Sequence, residues 1–193
     1  MDIQHLNIKF FLDNSEAVSL SDFIGIFNGW IQKQTGDELL IDVADYAHVP
    51  AGPGVLLIGH EANYSLDNTG HRPGLLYNRK AKVDGAIHAR LTQAARAALI
   101  ASRRLDTEHS FKFSGQVIQL FINDRLLAPN TPKTFAALAP ELQAFFTQLY
   151  AGADYTLDWA TDPRERFTVN VTTTADVDLA TLLHNLEREA VHA

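Results

Sequence analysis

The sequence predicts an α/β protein of the α+β type: a mixed, mainly antiparallel sheet made from two related β-α-β-β-(β)-α halves packed as one domain. Three observations lead there. Short apolar segments are separated by hairpin-type turn signals, amphipathic helical stripes lie between them, and the order of elements in the first half recurs in the second. A doubly wound parallel sheet fits less well, because three hairpin-like turns interrupt any regular strand–helix alternation.

The first strand is Leu6 to Leu12. A helix follows, with Ser19 or Ser21 as N-cap, Phe23, Ile26, Phe27, Trp30 and Ile31 on one face, and Gly36 as its stop. Leu39 to Val43 is the next strand, reversed by Pro50-Ala51-Gly52-Pro53-Gly54 into a strand from Val55 to Tyr64. Asp67-Asn68-Thr69-Gly70 turns the chain again, into a strand from Leu75 to about Val83. The longest helix spans Asp84 to Leu105, with Ile87, Leu91, Ala94, Ala95, Ala98 and Leu99 along its apolar side.

The second half opens with Phe111-Lys112-Phe113, a turn at Ser114-Gly115 and a strand from Gln116 to Ile122. Thr131 caps and Pro132 begins a helix whose stripe is Phe135, Leu138, Leu142, Phe145, Phe146 and Leu149. Pro140 inside that stripe is expected to kink or divide the helix, and Gly152 to end it. Strands at Tyr155 to Trp159 and Phe167 to Val171 follow, then a last helix from Asp176 or Asp178 to about Glu189.

Set against each other, residues 1–107 and 110–193 read as a pseudo-repeat. Ile8 to Asn14 resembles Ile118 to Asp124, Phe23, Ile26 and Trp30 fall opposite Phe135, Leu138 and Leu142, and Leu39 to Ala44 matches Tyr155 to Ala160. Two such units would bury their remaining apolar surface against each other, and the seam between them is a natural place for a cleft.

Composition narrows the chemistry. The 193 residues are 46% hydrophobic and 20% charged, enough to bury a sizeable core without a covalent or metal staple. The absence of cysteine excludes thiol catalysis, thiolate metal sites and disulfides. A net charge of −7 argues against a broad phosphate-binding surface, so nucleic acid is not an expected partner, while a local basic patch stays open. Val55 to Ile58, the longest apolar run, is too short to cross a bilayer, and the N-terminus does not read as a signal peptide. A cytoplasmic location is the expectation, with no membrane partner.

Candidate site residues cluster in Gly59-His60-Glu61-Ala62-Asn63-Tyr64 and Leu75-Leu76-Tyr77-Asn78-Arg79-Lys80. A hairpin centred near Thr69-Gly70 would set His60 opposite Arg79 and Glu61 opposite Asn78. His60, Tyr64, Tyr77 and Arg79 would then share one face, and Glu61, Asn63, Asn78 and Lys80 the other. In this reading His60 and Glu61 supply acid–base groups, while Arg79, Lys80, Tyr64, Tyr77 and Asn78 bind ligand. The competing reading is a strand whose polar end emerges from the core, with Glu61 and Lys80 as a surface pair. His48, His60, Glu61 and His71 lack the short spacing of a metal site, so neither metal nor cofactor is expected.

Weaker candidates lie elsewhere. Asp13-Asn14 and Asn123-Asp124-Arg125 end matching strands, where side chains more often cap the following loop. Arg90, Arg96, Arg103 and Arg104 mark a solvated helix face.

The function expected from sequence is therefore a non-catalytic binding or assembly protein. Its candidate partners are a second copy of the chain as a homodimer, a protein, or a small anionic ligand. The alternative is a small enzyme using His60 or Glu61 as general acid–base, with Arg79 orienting an anionic substrate.

Overall fold

The computed structural model describes residues 2–13, 19–50 and 52–188. Among them, eight strands form one sheet. In chain order these are β1 (Leu6–Leu12), β2 (Leu40–Tyr46), β3 (Gly54–Gly59), β4 (Ala62–Asp67), β5 (Gly74–Arg79), β6 (Phe113–Ile122), β7 (Tyr155–Trp159) and β8 (Phe167–Thr173). Across the sheet the order is β2-β3-β4-β5-β1-β6-β8-β7, and each of these pairings is antiparallel. The helices are α1 (Asp22–Lys33), α2 (Ile87–His109), α3 (Pro132–Leu149) and α4 (Leu179–Arg188). None is long and apolar enough to cross a membrane, among the described residues.

Side chains alternate between the faces of a strand, so register decides what each face carries. One row across the sheet reads Val43, Leu57, Tyr64, Tyr77, Ile8, Leu120, Val169 and Trp159, all apolar or aromatic. The helices cover this face. α2 lies over β1 and β5 and touches α3 and α4, while α1 lies over β2 and β3. The Arg104 guanidinium of α2 sits 5.3 Å from the Trp30 ring of α1. Alanines 94, 95, 98 and 101 form much of the buried side of α2, and their small size brings the helix close to the central strands.

The opposite, helix-free face mixes polar side chains with apolar ones such as Phe11, Leu76 and Phe121. Lys9 stands there between Leu76 and Gln119, and Gln119 donates to Asn170 at 2.9 Å. Lys9 Nζ reaches Asp67 Oδ2 at 2.5 Å, with the two side chains only 2% and 7% exposed. A Cβ on Gly74 would stand 2.3 Å from the Phe10 carbonyl oxygen and 3.0 Å from Lys9 Cε, so the missing side chain lets β5 close up against β1 beside Lys9. Burial holds the Lys9 ammonium below its ordinary value, against the pull of Asp67. Asp67 also accepts from the Thr69 hydroxyl at 2.7 Å, which ties the ion pair to the following turn.

Several local expectations are corrected. The strand read as Val55 to Tyr64 is two strands, β3 and β4, because the chain reverses at His60-Glu61. Gly59 permits the reversal, since a Cβ there would lie 2.6 Å from the Ala62 carbonyl oxygen. Ser114-Gly115 is not a turn but lies inside β6, where the missing side chain admits the Val177 carbonyl. Pro140 does not divide α3; it is exposed, as is Ala136 one turn earlier, so solvent can satisfy the carbonyl that loses its helical partner. α1 stops at Gln34 rather than Gly36, with Gln34 left-handed at φ 45° and its N–H bonded to the Ile31 carbonyl. Ser21 occupies the N-cap position of α1 without a side-chain cap bond, and its hydroxyl pairs with that of Ser19 instead. β5 ends at Arg79, and α2 runs from Ile87 to His109, later than Asp84 to Leu105.

Other expectations hold. Thr131 caps α3 and Pro132 opens it, and Asp178 caps α4 by accepting from Thr181 N at 2.7 Å. Asp124 caps its own loop, accepting from Leu126 and Leu127 N–H groups. Asn14, Ala51 and Glu189 lie outside the described residues. Of the segments paired by the proposed repeat, β1 and β6 are central neighbours and β2 and β7 are the two edges of the sheet.

Candidate functional site

On the helix-covered side a cleft of about 590 Å³ opens between the end of α1, the loop after it, the paired ends of β4 and β5, and α2. That size suits a small organic molecule. Gln93, Arg96, Ala97, Ile100 and Arg104 recur at three- and four-residue steps along α2 and form one wall. Trp30, Leu40, Tyr64 and Val83 add apolar surface, and Glu38, Glu61, Arg79 and Lys82 add charge.

A hydrogen-bonded network underlies it. The Tyr77 hydroxyl donates to Glu38 Oε1 at 2.8 Å and accepts from Gln93 Nε2 at 2.9 Å. Arg79 Nη1 lies 3.3 Å from the same Glu38 oxygen, and Arg79 Nη2 lies 3.0 Å from Glu61 Oε2. Arg79 Nε donates to the Ala81 carbonyl at 3.0 Å, which fixes the plane of the guanidinium. One cation thus serves two carboxylates. Glu38 is only 10% exposed, and its Oε2 has no hydrogen-bond partner.

Burial dominates the electrostatics. It pushes the Glu38 carboxyl above the usual carboxylate range, against the donors Tyr77 and Arg79. It pushes the Tyr77 hydroxyl up to about 12 and that of Tyr64 further still, so both are neutral donors near neutral pH. The raised Glu38 value fixes a sign. Stability from the protonated form is complete below the unfolded value of 4.5 and is lost as pH rises through the native one. Glu38→Gln should therefore gain in melting temperature relative to the wild type from about pH 4 to about pH 7. Thermal melts across that range measure it, and a difference that is flat with pH refutes it.

The sequence-predicted residues divide. Ala62, not His60, stands opposite Arg79, and Asn63, not Glu61, stands opposite Asn78. The hairpin is centred one residue later than expected because its loop extends through Pro73 to Gly74. This two-residue shift in register preserves faces, so Tyr64, Tyr77 and Arg79 remain together on the helix side. Tyr64, Arg79 and Glu61 line the cleft, with Tyr77 buried behind them. His60 is exposed in the β3–β4 turn, outside the lining. Asn78 belongs to the helix-free face beside Asn7 and Asn63. Lys80 also lies outside the cleft lining, donating to the Gly59 carbonyl at 2.6 Å. No group of three or more His, Asp or Glu side chains among the described residues is arranged to hold a metal ion.

No pattern in the sequence singles out Glu38 or Gln93 as site residues. Glu38 sits in a loop with no motif around it. Gln93 left one trace, a polar residue in the helical stripe that continues through Ala97 and Ile100. Fold and cleft together define a class: an α+β protein with one antiparallel sheet, helices on one face, and a polar-floored cleft beneath them. Comparison with known protein families, curated proteins and solved structures finds no match.

Proposed function

We propose that the chain is a non-catalytic small-molecule-binding protein whose ligand occupies this cleft and carries a negative charge. The observation that carries the reading is a pair of under-used cations on its lining. Arg96 has its nearest carboxylates at 3.7 Å (Asp37) and 3.9 Å (Glu187), both longer than a hydrogen bond. Lys82 makes no ion pair among the described residues. An anion gains from both, while Trp30, Ala97 and Ile100 offer apolar contact.

Acid–base catalysis through His60 and Glu61 draws less support. His60 lies outside the cleft lining, exposed in the β3–β4 turn, and Glu61 is engaged by Arg79. Thermal shift with butyrate, succinate and glycerol phosphate tests the binding reading. A ligand at a hundred times its Kd stabilises by about 2.7 kcal/mol, a rise of roughly 5–10 °C for a chain of this size. Arg96→Ala should remove at least about half of that rise. A flat response to every compound, or an equal one in the variant, overturns the assignment.

A further inference from the structure

We propose that the inner end of this cleft receives a protonated amine, so that the bound molecule is a zwitterion: ammonium at Glu38 and anionic group toward Arg96 and Lys82. This rests on the cleft being the ligand site and adds the identity of the ligand's second charge.

Charge balance is the first argument. The network sets Arg79 against the buried Glu38 and the half-exposed Glu61, one positive charge for two negative ones. A further anion at Arg79, the sequence expectation, would deepen that imbalance in a site of low dielectric. A single cation on the ligand restores neutrality.

Unmet hydrogen bonding is the second. Glu38 Oε1 is already served by Tyr77 and Arg79, but Oε2 has no donor. Gln93 spends its Nε2 on the Tyr77 hydroxyl, which leaves its Oε1 without a donor as well. Buried acceptors left bare are costly, and these two belong to side chains whose other polar atoms both meet the Tyr77 hydroxyl. An ammonium brings three N–H donors and no acceptor, which matches this deficit. Rotation of the Glu38 carboxylate about its terminal torsion, which is soft, can present either oxygen. The Tyr64 ring, 5.1 Å from that of Tyr77, lines the same cleft and favours a cation over a neutral donor.

The test uses matched probes by titration calorimetry: γ-aminobutyrate, butyrate and butylamine, and the longer set ε-aminocaproate, caproate and hexylamine. In the wild type, one of the amino acids should bind roughly ten- to a hundredfold tighter than its matched carboxylate. Glu38→Gln, which preserves size and an acceptor for Tyr77, should abolish that advantage while leaving carboxylate binding in place. Arg96→Ala should weaken amino acid and carboxylate alike. If carboxylate and amino acid bind equally in the wild type and in Glu38→Gln, the amine assignment falls and the anion reading stands. If amine and amino acid bind equally and Arg96→Ala has no effect, the anion reading falls instead. If no probe of either length binds, both fall.

Discussion

Lys9→Met is expected to destabilise the protein by about 3–5 kcal/mol, a fall of roughly 6–20 °C in melting temperature. The reason lies on the helix-free face, where the Lys9 ammonium and Asp67 carboxylate are nearly sealed from solvent. Removing the cation leaves Asp67 buried with the Thr69 donors as its hydrogen-bond partners and Arg166 as a more distant charge. The cost comes from that stranded charge rather than from the attraction lost, so a second substitution should return much of it. In Lys9→Met/Asp67→Asn the amide still accepts from Thr69, and at least about half of the loss should be recovered. Urea unfolding of the two single variants and the double variant gives the coupling. A single variant within about 1 kcal/mol of the wild type would show that the pair is already exchanged for water.

Arg79→Met should cost a similar amount, about 3–5 kcal/mol, because Glu38 then keeps only the Tyr77 hydroxyl inside the cleft floor. The two carboxylates around Arg79 are predicted to respond unequally. Glu61 is 47% exposed, and Glu61→Gln should cost less than about 1 kcal/mol. Adding Glu38→Gln to Arg79→Met should restore most of the stability, whereas adding Glu61→Gln should not. Chemical denaturation of these variants measures the asymmetry. Equal rescue by both would mean that the buried network is not organised around Glu38.

How much of this could be read from the chain follows from the range of each signal. Strands and helices announce themselves through neighbours a few residues apart, and the stripes of α1, α2 and α3 face the core as their spacing requires. The common face of Tyr64, Tyr77 and Arg79 was legible for the same reason, since an even register error leaves alternation intact. The reversal at His60-Glu61 was not legible. Its glycine precedes the turn instead of occupying it, and Gly59-His60-Glu61-Ala62 lacks the Asn-Gly or Asp-Gly chemistry that marks a tight hairpin. The floor of the cleft was out of reach altogether. Glu38 and Gln93 meet Tyr77 across 39 and 16 residues, and only the completed sheet with α2 above it brings them together. Arg79 was found, but its two carboxylate neighbours reverse the charge that it alone suggested.

An open sheet has two unpaired margins, and here each carries its own deterrent to recruiting another strand. β2 exposes the apolar Leu39, Ile41 and Tyr46 near its margin, yet its register slips between Leu40 and Asp42, and Asp42 and Asp45 place negative charge along it. β7 is only five residues long and alternates exposed Thr156 and Asp158 with half-buried neighbours. An irregular backbone, acidic side chains and brevity all disfavour templating by a further chain. Filament growth by strand addition is thereby discouraged at both ends, even though the sheet itself never closes.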